Sequence, residues 1–218
     1  MRLLLVNPNT SRHITERLAL SARAVLPPRA QLTALTADTG PAAVRSPEEL
    51  EAAGERVLAM AWAHIDVVDA VLIGISLDCG LAATRAACAP RPVMGMTEAA
   101  CLAALQLGPR LGVLTLGAAM ASSYRDHVHS LGLGAALVGV AAPECAQAYA
   151  AEPGAVLPEL VDSLAQAAQP LCEAGVDSLV LAGAVLCGYA PALQQRLGVP
   201  VLDGVASGVT LLSARLGG

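Results

Sequence analysis

Short runs of Val, Leu, Ile and Ala alternate along this chain with longer segments in which apolar positions recur at helical spacing. Strands buried on both faces read as near-continuous apolar runs, so the pattern predicts parallel sheets covered by helices. The runs are Arg2–Val6, Gln31–Ala37, Ala70–Ile75 and Pro92–Gly95 in the first half, and Leu111–Leu116, Ala135–Val140, Ser178–Ala182 and Pro200–Leu202 in the second. Helix starts between them are legible. Ser46-Pro47-Glu48-Glu49 combines a capping serine, a proline at the first helical position and a glutamate three residues after the cap, which predicts a helix from Pro47 to about Ala63. Ser11 is expected to cap a helix from Arg12 to about Val25, and Thr97-Glu98 to open one that ends near Leu107. Gly175 and Gly198 stop helices ahead of strands, and Ala141–Leu157 reads as a loop or lid.

The two halves also match each other. A gapless shift of 108 residues lays Arg2-Leu3 on Arg110-Leu111, Val68-Asp69 on Val176-Asp177, Cys79-Gly80 on Cys187-Gly188, Ala82 on Ala190 and Pro92-Val93 on Pro200-Val201. The expected fold is α/β, with two pseudo-symmetric lobes, residues 1–108 and 109–218, each a mainly parallel four-stranded sheet flanked by helices. The C-terminal segment of the first lobe is placed to cross over and pack with the other. In open parallel sheets ligands bind beyond the carboxyl ends of strands, where loops carry the chemistry and helix N-termini carry partial positive charge. The expected site is therefore the cleft between the lobes, lined by Asn7–Ser11, Ser76–Gly80, Thr115–Gly117 and Ala184–Gly188.

Composition removes several function classes. The net charge is −5, there is no basic run and no phenylalanine, so neither phosphate neutralisation nor base stacking is provided and no nucleic-acid partner is expected. The chain has no lysine at all, which excludes a pyridoxal-phosphate Schiff base and a P-loop. No CxxC occurs, and His127 and His129, two apart on a helix-like stretch, point to different faces, so they read as surface residues and no metal is expected. The long uncharged stretch Ser178–Gln195 contains Gly183, Gly188 and Pro191 and reads as strand, loop and helix start, not as a membrane span. With no signal-like N-terminus, the six cysteines suggest reduced thiols in the cytoplasm.

What remains is the pair of thiols that the repeat superposes. Moving a proton at a carbon beside a carbonyl takes a base on one face and an acid on the other, with stabilisation of the enolate between them. Cys79 and Cys187 fit those two roles if a helix N-terminus lowers their pKa, and Gly80 and Gly188 would let backbone N–H groups approach a ligand oxygen. Asn7 and Asn9 offer side-chain amides and Thr10, Ser11 and Thr115 offer hydroxyls to a small carbonyl compound, although Asn-Pro-Asn-Thr-Ser is also an ordinary turn and cap. Asp78 either tunes the neighbouring thiol or caps a helix. Cys88, Cys101, Cys145 and Cys172 have no partner at the repeat offset and read as small apolar residues.

LLLVNPNTS (Leu3–Ser11), LDCGLAATR (Leu77–Arg85), GMTEAA (Gly95–Ala100) and GVPVLDGVASGV (Gly198–Val209) together resemble the Asp/Glu/hydantoin racemase family, and most of all its hydantoin and allantoin racemase branch. The resemblance implies two pseudo-symmetric lobes, a small-molecule substrate in the cleft, no cofactor and a homo-oligomer. It implies a racemase or epimerase of a hydantoin or amino-acid derivative, with cofactor-free decarboxylases and cis-trans isomerases as related chemistries. One feature departs from the family. The family's two catalytic cysteines fall on Ile75 and Gly183, and Cys79 and Cys187 each lie four residues later. That displacement leaves open a rearranged two-thiol site, or a small-molecule binding protein that has lost the chemistry.

Overall fold

A computed structural model describes residues 1–44, 46–149 and 151–217. The elements run β1 (Arg2–Asn7), α1 (Arg12–Val25), β2 (Gln31–Thr36), α2 (Pro47–Trp62), β3 (Ala70–Ile73), α3 (Leu81–Ala87), β4 (Val93–Gly95) and α4 (Met96–Ala104). The same order then repeats as β5 (Leu111–Leu114), α5 (Ala121–Ser130), β6 (Leu137–Ala141), α6 (Pro158–Glu173), β7 (Ser178–Leu181), α7 (Ala190–Leu197), β8 (Val201–Asp203) and α8 (Gly204–Arg215). Every strand pair is parallel, in two four-stranded sheets ordered β2-β1-β3-β4 and β6-β5-β7-β8. The offset of 108 carries β3 onto β7 and β4 onto β8 residue for residue.

Burial explains why the strands carry no polar alternation. Leu4, Val6, Val71 and Ile73 face α2 and α3, while Leu3, Leu5 and Leu72 face α1 and α8. The second sheet is covered by α4 and α5 on one face and α6 and α7 on the other. The helices that end each half are exchanged. α4, which follows the first sheet, packs on β7, and α8, which follows the second, packs on β3, with α4 and α8 in extensive contact. Gly208 allows this approach, since a Cβ there would come within 2.5 Å of the Leu72 side chain.

The capping box is formed as its residues predict: the Ser46 hydroxyl accepts from Glu49 N, and the Glu49 carboxylate accepts from Ser46 N. Ser11 caps α1 by accepting from Ile14 N. α4 begins one residue earlier than its sequence suggests and takes its cap from far away. The Asp78 carboxylate accepts from Thr97 N at 3.0 Å and Glu98 N at 2.8 Å. In the other half Asp203 does this for α8 locally, accepting from Val205 N and Ala206 N. A Cβ on Gly95, the counterpart of Asp203, would collide with the Asp78 carboxyl, so a carboxylate occupies the same place in both halves, supplied by different residues.

The segment after β6 is pinned as a strap. Glu144 accepts from Ala118 N at one end, and at the other Arg17 of α1 donates to the carbonyls of Glu152 (2.6 Å) and Ala155 (3.1 Å). Arg17 is 2 % exposed, donates also to Cys187 O at 3.1 Å, and lies 5.4 Å from the Tyr189 ring centre. A buried cation with no carboxylate partner among the described residues is tolerable because carbonyl dipoles and an aromatic face surround it.

Candidate active site

The carboxyl ends of β3 and β5 meet around a small cavity of about 100 Å³ lined by Ser46, Ile75, Ser76, Leu77, Met120 and Ser123, among others. Its walls are apolar, and among the described residues its polar side chains are three serines. Behind them, Tyr124 of α5 is buried, and burial raises its phenol pKa against the opposing influence of the Ser76 and Thr115 hydroxyls. Leu77 and Asp78 both adopt left-handed backbone, at φ 69° and 48°. Two consecutive non-glycine residues there store strain, which the fixed Asp78 carboxylate holds in place.

Ile75 and Gly183 stand at the strand ends where the family resemblance places the thiols. Ile75 lines the cavity as an apolar wall. Gly183 has φ 149° and ψ 123°, a conformation that disfavours any residue with a Cβ, although the space around it is open: the nearest atoms to an added Cβ are on Leu186, at 3.6 Å, with Thr115 Oγ1 at 3.9 Å. Any residue with a Cβ, cysteine included, would be strained at this second position.

Cys79 and Cys187 pack in different cores. Cys79 is half-buried and packs against the core between the first sheet, α2 and α3, where burial and then the Asp78 charge push its thiol up to about 12, partly offset by Arg56. Cys187 is 2 % exposed in the other large core, and its thiol is raised well above the ordinary value by burial and by Asp203, partly offset by Arg17. Neither lines the cavity at Ile75 and Ser76. Both thiols are protonated at neutral pH, so neither is poised as a base.

Most of the expected ligand contacts are used within the fold. Asn7 is fully buried, and its Nδ2 donates to Asn9 Oδ1, Ser11 O and Thr15 Oγ1, while its Oδ1 accepts from Asn9 N. Asn9 Oδ1 also accepts from Ser11 N, so the motif Asn7–Ser11 is a turn and cap that bonds to itself. Thr10 N donates to Pro41 O, tying this turn to the segment beyond β2. Gly80 is glycine for packing, since a Cβ there would lie 2.5 Å from Gly54 O of α2. Gly188 N donates to Asp203 Oδ2 at 2.7 Å. Of the expected set Thr115 sits beside Tyr124 and Gly183, and the Asp78 charge also acts on Tyr124.

His127 is not the surface residue its spacing suggests. Its Nε2 lies 2.9 Å from Asp78 Oδ2 and its side chain is 13 % exposed. Spacing along the helix could not reveal Asp78, which is 49 residues away. His129 remains exposed and bonds to Arg125 O. Ser76 lies in the cavity as part of the expected loop Ser76–Gly80, whereas Tyr124 was missed, because a tyrosine in a polar helix carries no spacing signal. Among the described residues no three His, Cys, Asp or Glu side chains converge as a metal ion would need, and no helix is long and apolar enough to cross a membrane.

Comparison with known proteins fits this fold. A hydantoin racemase from Paenarthrobacter aurescens is 29 % identical, covering 94 % of this chain and 86 % of that protein. A hydantoin racemase from a Pseudomonas species is 27 % identical over 96 % of this chain and 83 % of that protein. The solved allantoin racemase from Pseudomonas fluorescens superposes with a TM-score of 0.88 at 28 % identity, over the whole of this chain and 92 % of that one. The family model described as Asp/Glu/Hydantoin racemase matches residues 3–212. With the two parallel sheets, the exchanged helices and the strand-end cavity in place, this chain belongs to the Asp/Glu/hydantoin racemase family.

Proposed function

We propose that this protein holds a compact carbonyl compound of the hydantoin or ureide class at the carboxyl ends of β3 and β5, and does not invert it by proton transfer between two thiols. The observation that carries this reading is the fate of the sulfurs: the strand-end positions are Ile75 and Gly183, while Cys79 and Cys187 lie in separate cores, each held protonated. The ligand class is supported by the names of the relatives and by the cavity itself. Its volume of about 100 Å³ is roughly the liquid share of three waters at ~30 Å³ each, which suits a small ring. The Ser46, Ser76 and Ser123 hydroxyls can both donate to ureide carbonyls and accept from ureide N–H groups.

Calorimetric titration with hydantoin and allantoin tests the ligand class. Saturable binding is expected, weakened about 3- to 10-fold in Ser76→Ala, the worth of one net hydrogen bond. Absence of binding by any cyclic ureide would sink it. A second reading, racemisation by Cys79 and Cys187, draws on the racemase names of the relatives and on the equal offset of the two thiols. It predicts inversion of optically pure substrate that is lost in both Cys79→Ser and Cys187→Ser.

A further inference from the structure

A second cavity, far larger, lies away from Ile75 and Ser76. It is a groove of about 730 Å³ between α1, α4 and α8, closed at one end by the strap residues Pro153–Val156 and by the carboxyl end of β8. Leu20, Val25, Val156, Leu202 and Leu211 make it apolar. The counterpart positions in the first half carry charged side chains bonded to one another or to a helix end. There Asp78 caps α4, His127 covers Asp78, and Glu98 pairs with Arg85 at 2.7 Å. Ala206 stands where the shift of 108 would put Glu98, and in the second half the space stays open.

Two polar groups are stranded in it. Ser21 of α1 and Ser207 of α8 both line the groove, both are 8 % exposed, and neither hydroxyl has a hydrogen-bond partner among the described residues. Helical serines and threonines ordinarily return a bond to the carbonyl one turn back, as Thr210 and Ser213 of the same helix do. The charged groups at the floor are engaged already: Arg17 with the carbonyls of Cys187, Glu152 and Ala155, and Asp203 with three backbone N–H groups. Among the described lining residues the unmet bonding capacity is thus two buried hydroxyls and the exposed Gln106 amide, with no free charge beside them, and its complement is an uncharged polar group on an apolar body.

We propose that this groove is a second binding site, for an uncharged amphipathic molecule such as a long-chain alcohol or ester, whose single polar group reaches Ser21 and Ser207. The test uses the full chain and the fluorescence of Nile red, displaced by decan-1-ol or by decanoate at pH 8. One saturable site per chain is expected, with decan-1-ol competing at least tenfold better than decanoate. Ala24→Trp and Thr210→Trp, both at exposed positions on the groove's edge, are expected to weaken uptake at least tenfold. The Ser21→Ala, Ser207→Ala double variant should weaken decan-1-ol about tenfold and leave cyclic-ureide binding in the small cavity unchanged. The proposal is overturned by absence of saturable uptake, by equal competition from decanoate, or by parental affinity in whichever tryptophan variant keeps the parental melting curve. It is overturned equally if sedimentation shows a dimer that either tryptophan variant disperses, which would make the groove an interface between copies.

Discussion

Placing a thiol at Gly183 should damage the fold through the backbone alone. The residue sits at φ 149° and ψ 123°, outside the regions that a Cβ-bearing residue adopts without strain. Crowding contributes nothing further, because a Cβ would meet only ordinary contacts at 3.6 Å and beyond. Backbone strain of this kind costs about 1–3 kcal/mol. For a chain of this size a loss of about 2 kcal/mol lowers the melting temperature by roughly 4–8 °C. Urea unfolding of Gly183→Cys and Gly183→Ala beside the parent separates the causes, since both substitutions add the same Cβ and only one adds sulfur. Equal losses in the two are expected. A Gly183→Cys protein within about 0.5 kcal/mol of the parent would show that the strand end still accepts the family's residue, and the argument from backbone geometry would fail.

Arg17→Met removes the donor shared by the carbonyls of Cys187, Glu152 and Ala155. It should cost about 2–4 kcal/mol in urea unfolding, charge-assisted bonds outweighing the relief of a buried cation; a loss under about 1 kcal/mol would show the strap is held otherwise. Asp78→Ala uncaps α4 and orphans His127, so its loss should exceed that of His127→Ala, with the cap worth about 0.5–2 kcal/mol; the reverse order would contradict the assignment of Asp78. Stability should also fall in alkali. The thiols of Cys79 and Cys101 are raised to about 12 in the fold against an ordinary 9. The unfolded chain therefore releases these protons from pH 9 upward while the folded chain keeps them, and the stabilisation is lost as pH rises from 9 toward 12. The slope is at most about 1.4 kcal/mol per pH unit for each thiol, and equal urea midpoints at pH 8 and pH 10.5 would rule it out.

The eight strands and the first two helices were legible because their signals are local: continuous apolar runs, a serine cap, a proline at the first turn. The repeat was legible because Cys79-Gly80 and Cys187-Gly188 keep one offset. The site was not, and the reason is physical. Asp78, Gly80 and Gly188 look like ligand contacts in sequence, but each has a partner or a close neighbour supplied by another element: Thr97 with His127, Gly54, and Asp203. Spacing reports which residues share a loop. It does not report whether a hydrogen bond from elsewhere has already taken them. The same limit hid Tyr124, whose place beside Ser76 and Thr115 exists only once α5 packs on the second sheet.

The central claim is that the family cleft persists here without paired thiols at its centre. Optically pure 5-substituted hydantoin and allantoin, incubated with the protein in deuterium oxide and followed together by polarimetry and proton NMR, test this most directly. Because uncatalysed exchange occurs, the readout is the rate above a protein-free control. The account predicts no protein-dependent inversion, in the parent and in the Cys79→Ser and Cys187→Ser variants alike. Inversion by the parent that disappears in both variants would contradict it and return the two displaced thiols to the active site.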